Sequence, residues 1–596
     1  MKKLFSYLNR ILSPEAYLYY LPWMALYVSL SALYLGAVFF FLRRAGATVL
    51  YMLGRAAVTD RELLILFTSW QGWVFFALSL ILVYFSFGMI LNGMILLSSR
   101  MLCGGNINIP GAFAGGLKSA ALFLRRGGWP AVLYFVIACP VLANTVLFRI
   151  STSFELSGFI LYLISKKLIY RILYDLFVAV LVLAGLRNLL LIHCTVLENG
   201  DPSGAAERMR LLLKGRRIKF YTRVGFFLLS SIAVIALVRA GYTRLPDLMR
   251  SMPDFLPRPI SRFLMLFYIY ALYALSAFLI LLLFPIQTLE LTRLYYCFRL
   301  EKEIYPDVKA KPAGRNSLRR ILQILLPALL IAGALLSTIF FDRLFPGARD
   351  VEIVVHRLCG NLDAENTIEG LEKAYSEGAR SFETDVQRTK DGYYIIFHDG
   401  TFLRLCGINK RPSELTLKQI RALRIKNAEG QARMIPTLAE VLTKIRTSGS
   451  RLYIELKGIT ADEKMADDVI RMVRKRNMED RCTLISMRYD TISYIYKNNP
   501  DIRTGLLYFF AYGKESLLDA DALAVQANAV SPGLTISAHA QGKKILGWTA
   551  NTRMRAHRLF KTDVDGIITD RYDIVSALQN YMNTRSDYAR VMDALQ

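Results

Sequence analysis

The first part of the chain alternates long, unbroken apolar runs with short basic loops. The runs cover residues 17–42, 73–97, 130–147, 173–191, 224–238, 263–284 and 321–341. A helix rises about 1.5 Å per residue, so apolar runs of this order are the ones that cross about 30 Å of hydrocarbon. The pattern predicts seven membrane-spanning helices. Two further apolar stretches, 49–67 and 154–163, are shorter or more interrupted and suit re-entrant or interfacial segments. At the N-terminus, Leu4, Phe5, Leu8, Ile11 and Leu12 share one helical face, with Lys2, Lys3 and Arg10 elsewhere. That arrangement predicts a short interfacial helix leading into the first span, and the segment lacks the small-residue cleavage site of a signal peptide.

After Phe345, Pro346 and Gly347 the period changes. Short apolar runs at 352–355, 381–386, 394–397, 452–456, 483–486, 504–507, 524–530, 544–548 and 566–568 read as strands, and amphipathic stretches at 367–377, 438–446, 463–476 and 553–560 read as the helices that separate most of them. Strand-helix alternation over about 250 residues is the pattern of a (β/α)8 TIM barrel. The expected organisation is therefore a polytopic α-helical membrane domain over residues 1–344 and an α/β barrel over 345–596. The linker after residue 341 is too short for a free tether, which predicts a barrel close to the membrane surface.

Composition agrees with a bilayer. The chain is 54% hydrophobic and 20% charged, with a mean hydropathy of +0.33, values that exclude a disordered chain and an ordinary soluble one. Of the formal net charge of +27, +22 lies before Arg349, between the apolar runs. Basic residues so placed set orientation and face anionic lipid, so no nucleic-acid partner is expected. Their concentration in alternate loops, above all at 208–223 and 293–320, puts the N-terminus inside; an odd number of spans then puts everything after residue 341 outside the cytoplasm. The seven cysteines are scattered and match neither a zinc site nor a disulfide framework. Asp175, Arg187 and Asn188 are the polar residues at membrane depth; Arg187 is near a span end and Asp175 within a turn of Arg171, which suits snorkelling and pairing better than a pathway.

Two of the five histidines close apolar runs: His356 ends VEIVVHR and His398 ends YYIIFHD. In a barrel such strand ends are where active sites are built. Between them, Glu383 and Asp385 in SFETDV are two apart and point to the same side of a strand. Side-by-side carboxylates repel, and a divalent cation resolves the repulsion. In LYIELK, Glu455 adds a third carboxylate and Lys457 a cation on the same face. Oxygen ligands alone suit Ca²⁺ or Mg²⁺. Each piece taken singly is most often structural. Together they supply acid, base, metal and anion binding in one place.

The stretches HRLCGNLDAENT, ETDVQRTKDGYYIIFHD, IPTLAEVL and IELK, followed by VSPGLTISAHAQGKKILGWTAN and VDGIITD, resemble the glycerophosphodiester phosphodiesterases, and the region before them resembles the membrane domain fused to some bacterial members. The resemblance runs from Val351 to about Asp570. It implies that His356 and His398 are the acid and base, that Glu383, Asp385 and Glu455 hold the metal, that Arg357 and Lys457 contact phosphate, and that Trp548 forms a wall of the cleft, with Glu365 and Asn366 supporting the first loop. Leu358 stands where the family has glycine, Ala364 where it has proline and Met487 where it has phenylalanine. Leu358 is expected to reshape the pocket and make its mouth more apolar.

The expected activity is a membrane-anchored, metal-dependent hydrolysis of glycerophosphodiesters, lipid-derived or polymer-linked, to glycerol 3-phosphate and an alcohol. A second reading is a transporter or lipid-handling membrane protein with the barrel as accessory; a third is a scaffold whose dead barrel binds glycerophosphate polymers. The short linker, the apolar Leu358 and the size of the membrane domain favour a membrane-borne diester. The orientation has a direct test. In intact cells, a cysteine on an exposed barrel position should react with an impermeant thiol reagent, and one near Arg216 should be protected. Reversed labelling would mean that a span has been missed or invented.

Overall fold

The computed structural model describes residues 14–60, 62, 64–103, 106–125, 127–133, 168–250, 256–301, 315–345, 347 and 350–595. The N-terminal interfacial helix, the stretch 154–163 and most of the run 130–147 lie outside the described residues. The chain forms two compact units. One comprises the helices up to Phe345 without Gly46–Ser69; the other comprises Gly46–Ser69 and the residues after Phe345.

Four helices among the described residues are long and apolar enough to cross a membrane: Tyr20–Met52, Trp70–Leu102, Arg217–Val238 and Arg258–Leu300. The runs 173–191 and 321–341 fall largely in the helices Leu168–Glu198 and Arg315–Ile339. Outward-facing Leu78, Leu80, Ile81, Leu229, Ile232 and Leu237 are exposed, a belt that suits hydrocarbon rather than water. Close packing inside depends on small residues. A Cβ at Gly116 would sit 2.6 Å from the Gly93 nitrogen, and Tyr27 donates its hydroxyl to the Ile90 carbonyl at 2.8 Å. Asp175 is exposed, and the side chains of Arg187 and Asn188 lie outside the described residues.

The second unit holds the strands β1 Ala57–Thr59, β2 Glu352–Val355, β3 Ser381–Arg388, β4 Tyr394–Ile396, β5 Ile425–Lys426, β6 Ala432–Arg433, β7 Arg451–Leu456, β8 Cys482–Ser486, β9 Arg503–Tyr508, β10 Ala511–Gly513, β11 Ala522–Gln526, β12 Lys544–Trp548 and β13 Gly566–Thr569. Eight of them, β2, β3, β7, β8, β9, β11, β12 and β13, pair in parallel, and the β2–β3 pairing closes the ring. This is the TIM barrel that the alternation predicts. Val354, Tyr453, Ile485, Leu507, Ala524, Leu546 and Ile568 fill the interior, while the alternate residues Val355, Phe382, Ile454, Leu484, Leu506, Ile545 and Ile567 join the larger core outside the ring. The period-2 rule of a strand thus separates two apolar layers.

Two departures matter for function. β4 is not a barrel strand: it runs antiparallel to the end of β3 and opens an insertion whose own core contains Ile395, Phe397, Phe402, Ile420, Ile425 and Ile435. His398 therefore follows a strand of the insertion, correcting the expectation that it closes a barrel strand. An apolar run of three or four residues reads the same in either setting. Secondly, the β9–β11 connection carries β10 and a single turn, Glu515–Leu517, in place of a helix, and β10 pairs antiparallel with β1.

Candidate active site

β3 and β7 lie side by side, with Asp385 opposite Glu455. Glu383, Asp385 and Glu455 each bring one carboxylate oxygen within 4.8 Å of the others, all three buried. Burying three anions together is costly unless each is answered. Lys457 donates to Asp385 Oδ1 at 2.9 Å and to Glu455 Oε2 at 3.0 Å. Asn366 Nδ2 donates to Asp385 Oδ2 at 2.8 Å, and Asn366 Oδ1 is held in turn by the Thr384 hydroxyl at 3.0 Å. The backbone N–H of Arg357 donates to Glu383 Oε2 at 2.8 Å. Burial raises the pKa of Asp385, but Lys457, the two histidines and Arg357 outweigh it and hold this carboxyl well below the usual carboxylate range. Glu383 is instead pushed up to about 8, by burial and then by Asp385. Glu383 Oε1 is buried with no hydrogen-bond partner among the described residues. An all-oxygen donor set with one such oxygen left over fits a hard divalent cation.

The histidines are held alike. His356 Nδ1 lies 2.7 Å from Asp570 Oδ1, and its Nε2 lies 3.9 Å from Glu383 Oε2. Burial lowers its pKa, but Asp570 and Glu383 outweigh that and raise it. His398 Nδ1 lies 2.7 Å from Asp399 Oδ1, and burial leaves its pKa below the ordinary value despite the pull of Asp385. A carboxylate on Nδ1 fixes the ring and leaves Nε2 for proton transfer. Arg404 holds Asp399 with Nε at 2.6 Å and Glu365 with Nη1 at 3.0 Å. Gln387 Nε2 donates to the carbonyls of Phe397 and Asp399, each at 2.8 Å, binding the insertion to the end of β3.

Arg357 sits in a tight turn after β2. Its Nη1 donates to Glu365 Oε1 at 3.0 Å, and its Nε is 4.0 Å from Asp385 Oδ2. Arg357 and Leu358 have φ of 52° and 67°, which explains a glycine in the resembling pattern at the second position. Leu358 is fully buried in the core, so it does not make the pocket mouth more apolar; the turn directs its side chain inward. Trp548 donates Nε1 to the Ala524 carbonyl at 2.8 Å, and its ring packs against Phe509 at 4.8 Å between centroids. Over the ends of β7 and β8 lies a cleft of about 560 Å³ lined by Gly458, Ile459, Met487, Arg488, Tyr489, Asp490, Thr59 and Glu62.

The motif pattern leaves Asp570, Asp399, Gln387 and Arg404 without a role, although they anchor both histidines. Asp399 directly follows His398 and Asp570 closes the apolar run of β13, and those positions were the available signals. Arg404 and Gln387 carry none, since their partners are distant in sequence or backbone atoms.

The glycerophosphoryl diester phosphodiesterase family model matches residues 356–574. A glycerophosphodiester phosphodiesterase of Caldanaerobacter subterraneus is 31% identical over 231 residues, 37% of this chain and 93% of the relative. Human glycerophosphodiester phosphodiesterase 1 is 26% identical over 242 residues, 34% of this chain and 72% of the relative. Among solved structures, an Oleispira antarctica phosphodiesterase in complex with the product sn-glycerol-3-phosphate is 23% identical at a TM-score of 0.36, covering 38% of this chain and 96% of that one.

The carboxylate cluster yields a measurable expectation. By titration calorimetry on the full chain, Glu383→Gln should weaken Ca²⁺ or Mg²⁺ binding by about tenfold or more. Equal affinity in the variant and the parent would remove Glu383 from the ligand set.

Proposed function

This chain belongs to the glycerophosphodiester phosphodiesterase family, and on that premise we propose that it hydrolyses membrane-borne glycerophosphodiesters to an alcohol and glycerol 3-phosphate, acylated where the substrate is a lysophospholipid, using His356 and His398 as its acid–base pair. The observation that carries this reading is the placement of two carboxylate-anchored histidines with three buried carboxylates and Lys457. In a diester of glycerol phosphate, a hydroxyl neighbours the phosphate. One histidine Nε2 takes the proton from the attacking oxygen, of that hydroxyl or of water, as the new P–O bond forms, and the other protonates the alcohol as its P–O bond breaks; where the hydroxyl attacks, water then opens the cyclic phosphate to the monoester. Arg357 and Lys457 offset the charge that builds on the phosphoryl oxygens.

Glu383, Asp385 and Glu455 would hold Ca²⁺ or Mg²⁺. The ion would supply Lewis-acid stabilisation of phosphoryl charge. The carboxylates contribute independently of that chemistry, by fixing Lys457 through Asp385 and Glu455 and the Arg357 turn through Glu383. Trp548, with Phe509 packed beside it, is the aromatic wall against which the bound diester would rest.

The barrel faces away from the cytoplasm in this reading, on a multi-pass domain. Two supports remain for a membrane-borne substrate, the short linker after residue 341 and the extent of the apolar helices; Leu358 is no longer one of them.

Replacing His356 or His398 with alanine should lower turnover of the full chain by roughly 10²- to 10⁴-fold without altering its melting behaviour. A variant that keeps more than about a tenth of the activity would refute that assignment. For the substrate, kcat/KM on glycerophosphocholine is compared with that on lysophosphatidylcholine in micelles. A preference of about tenfold or more for the soluble diester would overturn the membrane-borne reading and leave the hydrolase intact.

A further inference from the structure

The segment 46–69 joins the first two apolar helices in sequence, yet it belongs to the barrel unit. Its strand β1 pairs with β10 through Ala57 opposite Gly513, Val58 opposite Tyr512 and Thr59 opposite Ala511. The ladder continues at both ends. Lys514 N donates to the Ala56 carbonyl at 2.9 Å, and Asp60 N donates to the Phe510 carbonyl at 2.8 Å. Ala57, Val58 and Thr59 are buried. The barrel side is shaped for this strand: Gly513 has φ of 123°, and a Cβ there would lie 2.6 Å from the Ala56 carbonyl oxygen and 2.8 Å from the Ala57 Cα. On the other side, a Cβ at Gly46 would collide with the Tyr512 ring.

The pairing reaches both the Phe509–Trp548 ring pair and the cleft. Asp60 Oδ1 accepts from the backbone N–H of Phe509 at 3.1 Å, and Phe509 is the ring that packs on Trp548. The turn after β1 is fixed by Glu62, which accepts from Arg55 Nη1 at 3.2 Å and from Thr59 N at 3.3 Å. Thr59 and Glu62 themselves line the cleft beside Gly458, the neighbour of Lys457.

We propose that residues 56–60 together with Glu62 are a working part of the substrate cleft. Asp60 is a positioning residue that sets Phe509 against Trp548, and Thr59 and Glu62 wall the outer cleft where the substrate extends beyond its glycerophosphate. This rests on the phosphodiesterase reading. It adds that residues far outside the family-matching region help determine substrate affinity. In this reading chemistry takes place at the carboxylates and histidines, with which Thr59, Asp60 and Glu62 share no hydrogen bond among the described residues, so loss of the Asp60 contact changes KM more than kcat.

The test uses the full chain, with glycerophosphocholine and lysophosphatidylcholine as probes. Asp60→Ala should raise KM about fivefold with kcat within about twofold, as expected for loss of a charge-assisted hydrogen bond that orients a binding wall. Asp60→Asn keeps an oxygen acceptor for the Phe509 N–H and should restore KM to within about twofold of the parent. Phe509→Ala should raise KM similarly, and adding Asp60→Ala to it should produce no further rise, because both act through one ring. Unchanged KM in Asp60→Ala, or fully additive effects in the double variant, would overturn the proposal. A second readout does not depend on activity. Hydrogen exchange over 508–513 should accelerate in Asp60→Ala and not in Asp60→Asn, and equal protection in all three proteins would also overturn it. If the parent chain hydrolyses neither probe while the exchange result holds, the functional reading fails and the positioning of Phe509 by Asp60 stands.

Discussion

Three carboxylates buried within reach of one another dominate the energetics of the barrel mouth. Glu383, Asp385 and Glu455 arrive there through strand geometry alone: alternate residues of β3 share a face, and register places Asp385 opposite Glu455. Left unanswered, such a cluster would oppose folding. The surroundings answer it in part, with Lys457 bridging two members, Asn366 on Asp385 and a backbone N–H on Glu383. What remains is one buried carboxylate oxygen without a hydrogen-bond partner among the described residues and a carboxyl held up near 8. Incomplete compensation of this kind is what a hard divalent cation would complete.

Other features follow from the need to hold that cluster and leave it accessible. The turn after β2 enters the left-handed region at two successive residues so that an amide reaches Glu383 while Leu358 returns to the core. The insertion after β3 is fastened by Gln387 to two backbone carbonyls around His398, so the end of β3 helps to position an imidazole that lies outside the barrel ring. Each histidine has its own aspartate, and Arg404 links Asp399 to Glu365 and thereby to Arg357. Hydrogen bonds thus connect the insertion to the first barrel loop.

The β9–β11 connection is where this barrel departs from simple alternation. β10 stands outside the barrel ring, and an unpaired strand edge is a ready template for pairing with another chain. β1 supplies the missing ladder. Part of the segment between two apolar helices thereby belongs to the same compact unit as the barrel.

Much of this was legible in the residues. Apolar runs of twenty or so residues and period-2 strands separated by amphipathic helices report burial locally, which is why the helical region and the barrel could both be read without coordinates. His356, His398, Glu383, Asp385, Glu455 and Lys457 stood out because charged residues at strand ends are conspicuous against apolar neighbours. Tertiary structure alone decided that His398 follows an antiparallel strand, that Leu358 turns inward, and that Asp60 meets Phe509 across 449 residues. These outcomes turn on backbone dihedrals and main-chain hydrogen bonds, in which nearly every residue type takes part equally well, so they leave almost no trace in the order of side chains.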